Sequence, residues 1–275
     1  MEGELTFLGT GTSMGVPTLG CDCEVCTSAD PRDRRLRPSA MLRWDAGTNS
    51  RPRTVIVDTG PDFREQALRN GINRVDAVVY THSHADHIFG LDDLRPLSFI
   101  AFREGRPIPL YVTDETAEVL SHIFDYTFAA DATYPNRARV TLERIDTGAT
   151  VHGVRFTRVP LLHGRMEIAG FRFGNTAYLT DVSDIPDSSF ALLEGVENLI
   201  ISALRYKPHP SHATVQQSLG WLRLIGARRT WFTHIAHELG HVATNLALPQ
   251  GVELAYDGLT IPIDLGSVDT GHGSL

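Results

Sequence analysis

The sequence is poor in cysteine, in positive charge and in long apolar runs, and each shortage excludes a class of protein. Only three cysteines occur in 275 residues, so no disulfide framework can hold the fold. Basic residues fall short of acidic ones, 25 against 33, for a formal net charge of −8. That balance argues against a general polyanion binder, while leaving room for a local basic pocket. No segment approaches the run of about eighteen apolar residues that a membrane-spanning helix needs. The opening MEGELTFLGTG lacks the basic-then-apolar order of a secretory leader. With free thiols, this predicts a reducing, cytoplasmic setting. No linker, internal repeat or charge block divides the chain, and apolar content is an ordinary 42%.

A short strand is expected at residues 5–8, followed by a glycine-rich turn, GTGTSMG, at 9–15. The glycine spacing is wrong for a dinucleotide fingerprint, and a cysteine loop follows instead of a helix. Further strands are expected at 39–44, 53–58, 75–80, 138–145, 151–159, 171–180, 197–201, 228–232 and 252–263. Residues 59–71 read as a helix with Pro61 in its first turn and Gly71 just past its end. Helical patterns also fall at 114–124 and 213–225. This mixture predicts one α/β domain over residues 1–265 and a frayed tail over 266–275.

The stretch CDCEVC places Cys21, Cys23 and Cys26 at C-x-C-x-x-C spacing. Three thiolates so placed form three corners of a tetrahedral zinc site, with redox chemistry as the alternative. The fourth corner must come from elsewhere in the chain. Directly after an apolar run comes THSHADH, which holds His82, His84, Asp86 and His87. Imidazoles and carboxylates at this density point to metal ligation. In an extended segment His82 and His84 face the same way, and a following turn swings Asp86 and His87 toward a second point. Three later apolar runs also end in a ligand-type residue: His163, Asp181 and His234. Strand ends along one sheet edge are where α/β proteins build sites. Seven ligands are too many for one metal and suit two, about 3.5–4 Å apart if a carboxylate is shared. His237, three residues past His234, is the candidate for the missing cysteine-site ligand, with His241 competing.

The order T-H-x-H-x-D-H, then His, Asp and His, resembles the metallo-β-lactamase superfamily across residues 5–265. The resemblance implies an αββα sandwich, two mixed β-sheets face to face with helices outside. It implies that His82, His84 and His163 hold one metal, that Asp86, His87 and His234 hold another, and that Asp181 bridges them. Asp58 in VDTG then matches the family's buried aspartate that braces the metal loop. The cysteine loop after LGTGTSMGVP narrows the resemblance to the phosphoribosyl 1,2-cyclic phosphate phosphodiesterase (PhnP-like) family. That implies hydrolysis of a small cyclic phosphodiester such as 5-phospho-α-D-ribosyl 1,2-cyclic phosphate, two catalytic zinc or manganese ions, one structural zinc and a homodimer. His212, in LRYKPHPSHATVQQSL, matches the family's histidine near the scissile phosphate, in the first turn of the 213–225 helix. With Asp86 it makes the expected catalytic pair, and His209 is the runner-up. Arg165 and Arg205 are expected to be surface or ion-pair residues, with contacts to substrate phosphates as the other option. His122, His152 and His272 carry no motif and are read as structural or solvated. A nucleic acid or membrane partner is not expected, since a tRNA-processing nuclease of this superfamily would need a basic clamping arm. Thioester or lactone hydrolysis would use the same site. A carrier like the pyrroloquinoline quinone accessory protein would depart from the full ligand set.

Overall fold

The computed structural model describes residues 1–45, 47, 51–129 and 134–266. The tail expected at 266–275 lies outside these residues apart from Gly266, and so does His272. Among the described residues, fourteen strands form two sheets of seven. The first sheet contains β1 (Glu2–Gly9), β2 (Ser39–Trp44), β3 (Arg53–Val57), β4 (Ala77–Val79), β5 (Ile108–Val112) and β6 (Val140–Arg144). The second contains β7 (Gly148–Val151), β8 (Val154–His163), β9 (Met166–Phe173), β10 (Thr176–Leu179), β11 (Asn198–Ser202), β12 (Arg229–Thr233) and β13 (Val252–Leu254). The last strand, β14 (Thr260–Asp264), returns to the first sheet beside β1. The orders are β14-β1-β2-β3-β4-β5-β6 and β13-β12-β11-β10-β9-β8-β7. Both sheets are mixed, with β1–β3 and β7–β10 antiparallel and β3–β6 and β10–β13 parallel.

Alternation along the strands explains the layering. In β3, Val55 and Val57 join a core with Phe156, Phe171, Tyr178 and Ile200 of the other sheet, while Ile56 between them faces away. In β4, Ala77 and Val79 face inward and Val78 outward. Side chains on a strand point alternately to its two faces, so a continuous apolar run means a sheet covered on both sides. The outer face of the first sheet packs under Phe63, Ala101 and Leu120 from the helices Phe63–Arg69, Arg95–Arg103 and Asp114–Ile123. The outer face of the second packs under Val215, Leu219 and Leu222 of the helix Val215–Ile225. The fold is the expected αββα sandwich.

Several element boundaries differ from the sequence expectation. The run 151–159 is split by a turn at His152 and Gly153, both at positive φ. The run 171–180 is a hairpin that turns at Gly174. The run 252–263 is two strands in different sheets, joined by a crossing segment. The strand β5 was not anticipated. The 213–225 helix begins two residues later, at Val215, with Thr214 as its N-cap and Gln217 completing a capping box. His212 therefore precedes the cap and is free of the helix, contrary to its expected place in the first turn. Among the described residues no helix is long and apolar enough to cross a membrane.

Candidate active site

Each ligand-type residue stands just past, or at the end of, a strand on one edge of the sandwich. Residues 81–87 follow β4, Asp58 follows β3, His163 ends β8, Asp181 follows β10 and His234 follows β12. Asp58, Asp181 and His234 have φ of 61°, 59° and 53°, in the left-handed region. Only His152 shares that property among the other described non-glycine residues. Such backbone costs of order 1–3 kcal/mol per residue and persists where packing over-determines it. Here it turns each strand end sharply so that its side chain enters the cleft.

The structure brings the predicted residues together in two sets. Ligand atoms of His82, His84 and His163 lie within 4.8 Å of one another, as do those of Asp86, His87, Asp181 and His234. His87 Nε2 is 3.3 Å from Asp181 Oδ1 and 3.3 Å from Asp86 Oδ2. His234 Nε2 is 3.2 Å from Asp181 Oδ2. Asp181 also groups with His163 and His212, so it stands between the two sets. His212 is at the site, its ring 4.6 Å from His234 and 4.5 Å from His163. His209 lies behind it, 5.0 Å from the His212 ring.

Hydrogen bonds fix the tautomers. The Thr81 amide and hydroxyl donate to the two oxygens of Asp58 at 2.8 Å each, and His87 Nδ1 donates to Asp58 Oδ2 at 2.8 Å. With its proton committed to Asp58, the Thr81 hydroxyl accepts from His82 Nδ1 at 3.0 Å. His163 Nδ1 donates to the Ser211 carbonyl at 2.6 Å. Three Nδ1 atoms are thus donors, which directs three Nε2 lone pairs into the cleft, the arrangement metal-binding histidines use. Gly60 of VDTG seals this brace, because a Cβ there would lie 2.0 Å from the Asp86 carbonyl oxygen.

The orphaned atoms show what the cleft is built for. His82 Nε2, His87 Nε2, Asp86 Oδ2 and both ring nitrogens of His234 are buried without a hydrogen-bond partner. Burial opposes a charge on His87, yet Asp181, Asp86 and Asp58 outweigh it and hold its pKa well above the ordinary range. Burial pushes the Asp86 and Asp181 carboxyls up, but neighbouring histidine rings outweigh it and hold both well below. Among the described residues their ion-pair partners are all histidines. Buried carboxylates facing unpartnered imidazole lone pairs call for cations. The donor set fits divalent metals.

The second cluster is equally defined. His237 Nδ1 lies 3.2 Å from the Cys21 sulfur and 3.4 Å from each of the Cys23 and Cys26 sulfurs. A tetrahedral zinc with bonds of about 2.3 Å to sulfur and about 2.0 Å to nitrogen spaces these atoms about 3.5 Å apart. The Cys26 amide brings the Cys23 thiol down to about 7, while burial pushes Cys26 up to about 11. A divalent cation favours the thiolate in both. His241 is not at the cage: its Nε2 contacts Asn245 at 3.1 Å and its amide donates to Asp33.

Two supports of this cage were not legible in the sequence. The buried Arg35 donates to the carbonyls of Ala236 and Leu239 at 3.3 and 2.7 Å and pairs with Asp33 at 3.0 Å, which holds the segment around His237. Arg205 pairs with Glu238 at 3.1 Å and donates to the carbonyls of Lys207 and Pro208, which ties the cage to the loop that carries His209 and His212. Arg205 is an ion-pair residue, as expected, and Arg165 lies exposed at the turn after His163.

The Asp58 brace gives a direct expectation. Asp58→Asn keeps the size of the side chain but changes the partner of His87 Nδ1, so divalent affinity at the set holding His87 should fall about 10–100-fold. Metal titration followed by calorimetry checks it, and an unchanged affinity would remove Asp58 from this role.

Comparison with known proteins agrees with this geometry. Residues 53–235 match the family model described as a β-lactamase superfamily domain. A solved diphosphatase of the PhnP family is 50% identical, with a TM-score of 0.89 over 96% of this chain and 98% of that one. An octanoyltransferase of Porphyromonas gingivalis is 36% identical over 262 residues, covering 94% of this chain and 51% of that protein. A coenzyme PQQ synthesis protein B of Methylobacterium nodulans is 29% identical over 166 residues, covering 56% of this chain and 51% of that protein. The chain spans about half the length of these curated relatives. The fold, the clustered ligands and these matches place the chain in the β-lactamase superfamily of metal-dependent hydrolases, within its PhnP family.

Proposed function

We propose that this protein hydrolyses a small phosphodiester, with a cyclic diester such as 5-phospho-α-D-ribosyl 1,2-cyclic phosphate as the substrate type. The observation that carries this reading is the convergence of seven ligand-type side chains and His212 on one cleft. His82, His84 and His163 would hold one divalent ion, zinc or manganese, Asp86, His87 and His234 the other, with Asp181 shared. When bound, such a pair acidifies a water and neutralises charge on phosphate oxygens.

The chain's own residues do the rest. The Thr180 hydroxyl donates to Asp181 Oδ1 at 2.7 Å and fixes that carboxylate between the two sets. Asp58 and the Ser211 carbonyl hold His87 and His163 in the required orientation. His212 Nδ1 is buried and unpartnered, 3.9 Å from Asp181 Oδ2. It is placed to give a hydrogen bond to an oxygen leaving phosphorus. Cys21, Cys23, Cys26 and His237 would hold a structural zinc that pins the N-terminal loop to the segment carrying His234.

A second reading follows from the 50% identical relative, a diphosphatase. Cleavage of a phosphoanhydride asks for the same cations and the same donor, with phosphate as the leaving group. The octanoyltransferase and the PQQ protein give weaker guidance, because about half of each has no counterpart in this chain.

A turnover screen decides among these readings. Purified protein loaded with zinc or manganese is expected to cleave the cyclic diester and bis-p-nitrophenyl phosphate, and to leave a thioester intact. Cleavage of a dinucleoside diphosphate alone would favour the second reading. Turnover of the thioester with no phosphorus ester cleaved would overturn both.

A further inference from the structure

We propose that Arg165 and Lys207 form an anion subsite on the lip of the active-site cleft, which binds a phosphate monoester, or a like dianion, that the substrate carries away from the reacting phosphorus. The inference rests on the phosphodiester reading and names a feature of its substrate.

The argument begins with the placement of two turns. Arg165 sits with Gly164 in the two-residue turn between His163 and Met166, a residue pair in the β8–β9 register. That turn packs against the loop carrying His212: a Cβ on Gly164 would lie 3.4 Å from the Ser211 side chain, and the Ser211 carbonyl accepts from His163. Lys207 stands in the same loop, two residues before His209. Arg205 shapes the loop from within by donating to the Lys207 and Pro208 carbonyls at 3.2 and 3.3 Å. Pro208 and Pro210 on either side of His209 restrict it further.

Charge pairing then leaves two cations over. Two acids near these turns are committed, Glu167 to Arg158 and Glu238 to Arg205, and Asp184, beside the first turn, accepts from the Ile185 amide and among the described residues forms no ion pair. Arg165 and Lys207 are both exposed, and among the described residues neither side chain has a hydrogen-bond or ion-pair partner. In a protein of net charge −8, two unneutralised cations beside an anion-cleaving cleft concentrate the local field on an anionic substrate. Arg offers a planar fork for phosphate and Lys a mobile point charge, and the two together suit a dianion. Lys207 is also the only lysine of the chain, which makes it chemically addressable.

Two chromogenic diesters that differ only in a distal phosphate test the proposal: thymidine 5′-(p-nitrophenyl phosphate) and its 3′-phosphorylated form. In Arg165→Gln and in Lys207→Gln, KM for the 3′-phosphorylated ester should rise about tenfold. Its kcat should not change, because this contact is felt equally by the ground and transition states. KM for the unphosphorylated ester should stay as in the wild type. Equal shifts for both esters, or none for either, overturn the subsite. If wild-type protein cleaves neither ester, the phosphodiester reading fails by itself, and labelling then judges the subsite. Pyridoxal 5′-phosphate with borohydride should modify Lys207, located by peptide mass, and inorganic phosphate should protect it. Arg165→Gln should raise the protecting concentration about tenfold. Labelling that phosphate does not slow, or protection that Arg165→Gln does not weaken, overturns the proposal.

Discussion

Replacing His212 by alanine is expected to slow phosphodiester hydrolysis by about 10²–10⁴-fold, with metal content unchanged. The magnitude follows from position. His212 is not in either predicted ligand set, yet its ring lies 4.5–4.6 Å from His163 and His234, and its Nδ1 is buried without a partner. Burial, with the His234 ring beside it, brings its pKa down to about 3. A neutral imidazole still carries one N–H, so it can donate to an oxygen that gathers charge as it leaves. The leaving group gives a sharper test than rate alone. A p-nitrophenolate departs with little stabilisation, whereas an alkoxide or ribosyl oxygen gathers more charge and gains more from that N–H. The loss on His212→Ala should therefore be large for alkyl esters and much smaller for p-nitrophenyl esters. Equal losses for both would place His212 in phosphate binding and remove it as donor to the leaving oxygen. His209→Ala, one ring further out, should cost little for either ester.

Chemistry was easier to read from the sequence than geometry, and the reasons are local. The THSHADH segment names its ligands because four donors within six residues have no structural purpose. His163, Asp181 and His234 were legible because each stands where an apolar run stops. Cys21, Cys23 and Cys26 were legible from spacing, and the choice of His237 over His241 required the fold. The hidden features are those without local periodicity. The turns at His152-Gly153 and at Gly174 sit inside VHGVRFTRV and FRFGNTAYLT, where apolar residues at strand spacing continue on both sides of the turn. The crossing between β13 and β14 is hidden for the same reason. Arg35 reaches carbonyls 201 and 204 residues away, and Arg205 reaches Glu238 across 33 residues. Nothing near Arg35 or Arg205 in the sequence marks these partners.

The backbone at the site adds a link between fold and chemistry. Three residues held at positive φ are the brace Asp58 and the ligand-type residues Asp181 and His234. Regular strands would carry these side chains on along the sheet face. The left-handed step turns them off the sheet edge, and the unfavourable backbone is offset by the buried hydrogen bonds around them. This fixes how any test of Asp181 must be designed. Alanine at φ 59° would add backbone strain to the loss of the carboxylate, whereas asparagine tolerates that region.

Asp181→Asn is therefore expected to lose metal and activity together while remaining folded. Asp181 is fully enclosed, 1% exposed, and its two oxygens face different partners, His87 at 3.3 Å and His234 at 3.2 Å. Losing a mere supporting partner of a ligand costs about 10–100-fold in metal affinity. Losing a carboxylate shared by two positions should cost at least that much at each, so turnover should fall by at least about 10³-fold. A second readout does not depend on activity. A metal that binds only the folded state stabilises it by RT ln(1 + [M]/Kd), about 4 kcal/mol at a thousandfold excess over Kd. Wild-type protein should melt at a higher temperature when zinc or manganese is added after chelation, and Asp181→Asn should lose most of that rise. The metal-free variant should melt below metal-free wild type, because the substitution removes the carboxylate that the buried, charged His87 faces, so the readout is the rise that added metal gives each protein over its own metal-free form. A variant that binds two catalytic ions as tightly as wild type would show that Asp181 does not bridge them, and the binuclear reading would have to be rebuilt on the remaining six residues.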